Sequence, residues 1–379
     1  MDRTCLQAIW HPAGPIVCPK ISRVHTAIDR WVLLPRTSIE ILPGGLKEWE
    51  STEVPSGAPN PSQDFPFLLV EGNLGIPKKI LCALYLAATS VPWRRSLDIR
   101  EITAATSCIL LLNPAHQTAL NSRKRLIRDG HLDPEKELIF TELLLRGLTE
   151  CAKQSIIWDH RRWCFRELYG VMGPKLSMVP PCVEHWSTAE ERQTFPKIPP
   201  AVIQHELSII QHTCQSYPRN YHAWAHWHFI INVCHTSVYF HSSTADSDEP
   251  EPLAGKRQDF LEVIIAENTR LRGWVELNVS DYSAMHQLCQ IQKLIEQLLH
   301  SGILVPVSAK NLTSLALAEQ SLSLVTAFPS HESLWMYLRI SLGIIPSENR
   351  TAILEKIKAK DASISSPFVR RLINWFAKT

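Results

Sequence analysis

The chain has no pair of cysteines at CxxC spacing, although ten cysteines are scattered through its 379 residues. Zinc ribbons and dithiol redox sites need that spacing, so neither is expected. Long hydrophobic runs are also missing. The longest, Ile80 to Ala88, is too short to cross a bilayer and is followed by Trp93-Arg94-Arg95, so stable membrane insertion is not expected. Net charge is only +2 at pH 7. No strong field therefore favours nucleic acid or an anionic membrane. No glycine-rich phosphate loop and no nucleophile–base pairing is visible, which argues against a stand-alone enzyme. His226-Trp227-His228 is no metal pair, because i, i+2 spacing on a helix points the two rings to different faces. His160-Arg161-Arg162 lacks the Asp and Asn of a kinase catalytic loop. The first residues show no basic-then-apolar leader. A cytoplasmic protein with free, mostly buried thiols is expected.

What the chain does have is twelve tryptophans and a weak internal repeat. Each copy is built on a Trp or apolar anchor, often with Pro six residues before it. The anchors are Leu120, Trp158, Trp224, Met285 and Trp335, spaced by 38, 66, 61 and 50 residues. Repeats of this size imply stacked helical hairpins, because one hairpin cannot bury its own apolar face. Trp158, Trp224 and Trp335 are expected as structural anchors, each burying roughly 150–250 Å². The Arg three residues after the anchor (Arg123, Arg161) lies one turn along the same face, where it can stack on the ring or bind helix-end carbonyls.

Punctuation sets the hairpin boundaries. Ile99 to Leu112 has one apolar face and ends before Pro114; a second helix over 117–129 stops at Gly130; Asp133-Pro134 opens the next. The pattern recurs over 135–152 with 155–170, 200–216 with 219–235, 257–275 with 281–300, and 308–328 with 331–343. A final pair, 347–359 and 365–378, is placed as a cap. Residues 173–200 carry six prolines, and 241–256 are rich in Ser, Asp, Glu and Pro; both read as surface insertions. Residues 1–76 read as an irregular segment leading into an array over 77–379, with a short strand or an extended pass at Phe65 to Val70. The basic stretch Asn121 to Arg125 reads as a solvated face. No strand alternation of any length appears, so an all-α fold is expected.

The segments Leu112-Asn113-Pro114…Arg123-Lys124, Trp158-Asp159-His160-Arg161-Arg162-Trp163 and Tyr217-Pro218-Arg219-Asn220-Tyr221-His222-Ala223-Trp224 resemble the repeats of protein prenyltransferase α subunits. That repeat runs roughly Pro-Lys-Asn-Tyr-x-x-Trp-x-x-Arg. His331-Glu332-Ser333-Leu334-Trp335 is similar to the family's degenerate fifth repeat. Phe67 to Gly75 and Cys108 to Pro114 further resemble a type III-like geranylgeranyltransferase branch, with the farnesyltransferase and Rab geranylgeranyltransferase α subunits as the close alternatives. The resemblance implies a crescent-shaped right-handed superhelix, a solenoid of antiparallel helical hairpins, that wraps a separate β subunit. It implies a noncatalytic α subunit, inactive alone. Zinc and geranylgeranyl diphosphate would sit in the partner, with the Rab geranylgeranyltransferase β subunit as the expected partner. It also implies a prenyl-acceptor protein that is already farnesylated. Carried over position by position, Lys153 and Tyr221 would assist at the partner's active site as a cation and a hydrogen-bond donor for the leaving diphosphate. Arg161, Arg162, Asn220, His222 and His226 would face the partner.

The chain departs from the family pattern in places. The consensus Arg is replaced by Trp227, Leu288 and Leu338 in the last three repeats, and the Pro and Tyr positions of repeat two hold Ala152 and Ser155. A helical-repeat scaffold similar to tetratricopeptide proteins, binding a peptide without catalysis, is the second reading.

Overall fold

The computed structural model describes residues 38–43, 68–70, 73–90, 98–170, 195–243, 252–301, 312–364 and 367–377. Most of the irregular segment before residue 68, most of 173–200 and half of 241–256 lie outside them. The chain divides into two compact units, Met1–Gly170 and Val171–Thr379, and each is described by itself.

The described residues form fourteen helices and three short strands. In the first unit these are β1 (Ser38–Leu42), β2 (Leu68–Val70), β3 (Asn73–Pro77), α1 (Lys78–Ser90), α2 (Ile99–Leu112), α3 (Gln117–Arg128), α4 (Pro134–Gly147), α5 (Thr149–Ala152) and α6 (Ser155–Tyr169). The second unit holds α7 (Pro200–Ser216), α8 (Tyr221–Ser243), α9 (Pro252–Leu277), α10 (Tyr282–His300), α11 (Ser314–Ala327), α12 (Glu332–Gly343), α13 (Ser347–Ile364) and α14 (Pro367–Phe376).

The chain is thus nearly all helical. The small sheet bears out the short-strand reading within Phe65 to Val70, where β2 lies, while β1 and β3 differ from the expected irregular start. Its order is β1-β3-β2, with β1 parallel to β3 (Ser38 opposite Asn73) and β2 antiparallel to β3 (Leu69 opposite Leu74). Strands of three to five residues with a distant parallel partner carry no local alternation to read. Ile39, Leu74 and Ile76 bury the sheet's inner face. Helix α4 packs on β1 so closely that a Cβ at Gly147 would lie 2.6 Å from Ile39 N and 2.7 Å from Ile39 O.

Helix ends follow local chemistry. Asp98, Asp133 and Asp281 cap α2, α4 and α10 by accepting from the first-turn N–H groups of Arg100, Glu135 and Ala284, and Pro134 sits in the first turn of α4. Gly130 ends α3 at φ 75°, the left-handed conformation glycine adopts without penalty.

One register unites the repeats. The anchor lies four residues after the cap of the second helix in every copy: His116 and Leu120, Gln154 and Trp158, Asn220 and Trp224, Asp281 and Met285, His331 and Trp335. The cap residue's N–H donates to the carbonyl three residues earlier at 3.1 Å for His116, 3.0 Å for Gln154, 2.8 Å for Asp281 and 3.2 Å for His331. The six-residue spacing from Pro to anchor has a physical meaning. Trp158 Nε1 donates to Ala152 O at 2.9 Å and Trp335 Nε1 to Pro329 O at 2.8 Å. Each indole thus satisfies a carbonyl at the end of its hairpin's first helix, where the backbone lacks an intrahelical donor. Trp224 is buried as well, but packs edge-on against Trp227 and Trp274, with ring centroids 6.2 and 6.3 Å away.

The seven described cysteines are free and six are buried. Burial pushes the Cys151 and Cys289 thiols up to about 12, which keeps them protonated at neutral pH.

Two expectations follow. Gly147→Ala should destabilise the first unit by roughly 1–3 kcal/mol, because the new methyl meets strand backbone that cannot rotate away; an unchanged melting midpoint would contradict this contact. Trp224→Ala should cost roughly 3–5 kcal/mol, read by chemical unfolding of the second unit.

Candidate functional site

The most constrained group in the first unit is Glu137, a fully buried carboxylate on α4. Arg123, on the second helix of repeat one, meets it side-on: Nε lies 2.9 and 3.0 Å from the two carboxylate oxygens and Nη2 2.6 Å from Oε2. Arg123 Nη1 reaches Thr106 and Ser107 on α2. His160, on the second helix of repeat two, is 2.7 Å from Glu137 Oε1 through Nε2. Burial alone would raise the Glu137 pKa, but Arg123 and the His160 hydrogen bond override it and hold the group at about 2. Burial keeps His160 below its ordinary value despite Glu137, so a neutral ring donates its Nε2–H to an ionised carboxylate. One carboxylate therefore joins three helices of two repeats.

The same device recurs in the second unit. Glu206 on α7 is hydrogen-bonded to His226 on α8 at 2.7 Å. Glu267 on α9 accepts from Trp227 of the preceding repeat and from Arg270. His160 and His226 both sit two residues after an anchor; Arg123 and Trp227 both sit three after. The Arg-to-Trp change in repeat three thus keeps a donor for the next repeat's carboxylate.

This placement revises part of the expected partner surface. Arg161 is 2% exposed, and its Nη1 donates to Leu138 O at 2.5 Å and to Thr141 Oγ1 at 2.8 Å. Asn220 is buried because it caps α8, accepting from Ala223 N at 3.2 Å. His226 is buried against Glu206. These three side chains hold the repeats together and do not reach the surface. Arg123 corrects the solvated reading of Asn121 to Arg125, since it is buried against Glu137. Arg162 is half-buried and pairs with Asp159. His222 is half-buried, edge-on to the Tyr221 ring at 5.6 Å. Glu137, Glu206 and Glu267 went unnoticed in the sequence. The available signal was a carboxylate recurring within apolar first helices, with spacings near those of the anchors.

The exposed chemistry gathers at the turns within hairpins. Tyr221, the first residue of α8, is 69% exposed, and Tyr282 holds the same register position at the start of α10, 59% exposed. Lys153 immediately precedes the cap of α6; its side chain is 33% exposed and its Nζ is 2.6 Å from Glu150 Oε1. Arg219 takes the corresponding position in repeat three. It is exposed and adopts φ 61°, the only positive φ of a non-glycine residue among the described residues. Lys153 and Tyr221 belong to different units. Within the second unit, Tyr217, Tyr221, Leu277, Tyr282 and Phe328 all expose apolar surface near the turns of repeats three to five. A cleft of about 410 Å³ opens beside them, lined by residues of α7 and α9 with Pro218 and Asn278.

Among the described residues no three His, Cys, Asp or Glu side chains gather as a metal-ligand set, and no helix is long and apolar enough to cross a membrane.

Fold and register define a protein of helical-hairpin repeats with capped, anchor-bearing second helices. The sequence profile of the protein prenyltransferase alpha subunit repeat matches residues 203–234, most of repeat three. The chain is 28% identical over 309 residues to the Homo sapiens protein prenyltransferase alpha subunit repeat-containing protein 1, covering 72% of this chain and 68% of that protein. The Danio rerio protein of the same name is 26% identical over 300 residues, covering 72% of this chain and 63% of its own length. The chain therefore spans less than two thirds of that relative. A third relative, the Saccharomyces cerevisiae geranylgeranyl transferase type-2 subunit alpha, is 24% identical over 196 residues, covering 50% of this chain and 44% of that protein. The chain thus carries a prenyltransferase α-subunit repeat and resembles that family over most of its length.

The network makes a pH prediction. A carboxylate held at about 2 contributes stability above its ordinary value of 4.5 and loses it as pH falls towards 2. His160, held below 6.5, adds in the same direction, because the unfolded ring takes up its proton first as pH falls. Urea unfolding midpoints of the first unit should drop between pH 6.5 and 2, with about 3 kcal/mol from Glu137. Glu137→Gln should be less stable at neutral pH and flatter below pH 4.5; a slope equal to that of the parent chain would contradict the assignment.

Proposed function

We propose that this chain is the noncatalytic α subunit of a heterodimeric protein geranylgeranyltransferase, of type III-like partnering. The observation that carries the reading is repeat three. Its profile match spans the segment in which Asn220 caps α8, Trp224 anchors the hairpin and Tyr221 is left outside. The buried residues keep the hairpin in place, and the exposed phenol remains available to another chain. The yeast relative bears the name of a geranylgeranyl transferase α subunit, which favours the same class.

In this reading the hairpins form a crescent around a β subunit, expected to be that of Rab geranylgeranyltransferase. The partner holds zinc and geranylgeranyl diphosphate. Zinc bound in the partner would favour the thiolate form of the acceptor cysteine, the nucleophile for a lipid transfer in which diphosphate is the leaving group. This chain contributes orientation and hydrogen bonding. Tyr221 presents an O–H to the departing diphosphate, and Lys153 presents a cation after leaving Glu150. The acceptor already bears a farnesyl group, and the second lipid turns marginal membrane binding into firm anchoring.

Co-expression with the Rab geranylgeranyltransferase β subunit of the same organism should give a 1:1 complex on size exclusion that transfers geranylgeranyl to a farnesylated acceptor. Absence of a complex with this β subunit and with the farnesyltransferase β subunit would overturn the proposal. Within an active complex, Tyr221→Phe should lower single-turnover rates by roughly tenfold or more while leaving assembly intact, because only a hydroxyl is lost. An unchanged rate would remove Tyr221 from the chemistry.

A further inference from the structure

The cleft between α7 and α9 has no part in the proposed chemistry, yet its lining is unusual. Gly273 lies inside α9, where glycine costs about 0.5–1 kcal/mol relative to alanine. A Cβ at that position would meet nothing within 4 Å among the described residues, so none of them requires a glycine there. Gly273 is exposed and forms part of the cleft wall. Its effect is to leave the helix backbone bare, which suits the close approach of a second backbone.

The rest of the lining fits the same visitor. Gln211, Gln215 and Asn278 bring carboxamides, which both donate and accept, as peptide units do. Arg270 binds Glu267 through Nε and Nη2, while its Nη1 is buried without a hydrogen-bond partner among the described residues. Glu267 already balances the guanidinium charge, so the cleft floor is close to neutral. Pro218, Trp274 and Leu277 provide the apolar wall, and Leu277 is 87% exposed. Beside Pro218 stands Arg219, an exposed cation held at φ 61°. Strained positions of this kind persist where the surroundings fix them, often at binding sites. The volume of about 410 Å³ lies in the range of ligand sites, roughly 300–1,000 Å³.

We propose that this cleft binds an extended segment of a protein partner. Its backbone lies over Gly273 and hydrogen-bonds to the carboxamides. A leucine-like or phenylalanine-like side chain packs on Trp274 and Leu277, and a neighbouring acidic residue pairs with Arg219. This inference does not depend on a β subunit, since it concerns the chain alone.

The test uses the purified full chain and an array of acetylated hexapeptides. Each places one Leu or Phe and one Asp or Ser among Gly and Ala. Peptides with Leu or Phe and Asp should bind saturably. Gly273→Leu should weaken that binding by about tenfold or more by occupying the cleft. Gly273→Ala should keep or raise the melting midpoint, which establishes that the helix tolerates a side chain there. Arg219→Gly, which suits the positive φ, should abolish the preference for Asp over Ser with the fold intact. Absence of saturable binding by every array member would overturn the proposal. So would binding that Gly273→Leu leaves unchanged.

Discussion

The structure of the first unit depends on one interaction, the ion pair between Arg123 and Glu137 in the absence of water. Taking two charges out of water costs several kcal/mol each, and only close geometry with full hydrogen bonding offsets that cost. Here the guanidinium uses Nε and Nη2 on the carboxylate and Nη1 on Thr106 and Ser107, while His160 takes a further carboxylate lone pair. Every group depends on the others. Because the participants come from α2, α3, α4 and α6, the network fixes how repeat one sits on repeat two. A purely apolar interface could slide; this one has a single register.

The second unit repeats the logic with different side chains. Trp227 replaces the consensus arginine and still donates to Glu267, and His226 serves Glu206 as His160 serves Glu137. A neutral donor in place of a cation avoids one desolvation penalty but gives up one charge–charge attraction. Divergence at the consensus arginine therefore preserves the seam in repeat three. Below the seam the anchors close each hairpin. At the turns, Lys153 is half-buried in the first unit, and Arg219, Tyr221 and Tyr282 are exposed in the second. Buried polar groups hold the array, and the turn edge is left to meet other molecules.

Much of this was legible in the sequence for physical reasons. Pro114, Gly130, Asp133-Pro134, Asp281 and Pro329 act through local backbone geometry, so hairpin limits could be read to within a few residues. Helix α8 runs further than expected, to Ser243. The spacing of six from Pro329 to Trp335 could be seen but not explained until the indole was found on the carbonyl. Arg123 and Arg161 do bind backbone carbonyls, as their place one turn after the anchor suggested. The solvated reading of Arg123 and the partner-facing readings of Arg161, Asn220 and His226 failed because their partners lie on other helices or in the helix's own first turn. A charged residue in a local window looks solvated unless its distant counter-charge is known. A short strand at β2 was among the readings, but β1 and β3 were missed for a similar reason, since they pair across thirty-odd residues. Lys153 and Tyr221 entered through family resemblance alone; their exposure agrees with a role outside the chain without defining it.

The account stands or falls on whether the buried network acts as one unit. The direct measurement is a double-mutant cycle by urea unfolding at neutral pH, with Arg123→Met, Glu137→Leu and the pair together. Each single change should cost roughly 3–5 kcal/mol by leaving a buried charge unmatched, and the pair should cost no more than either alone. Additive losses would contradict it, because independent contributions mean that the two residues are not holding each other in place.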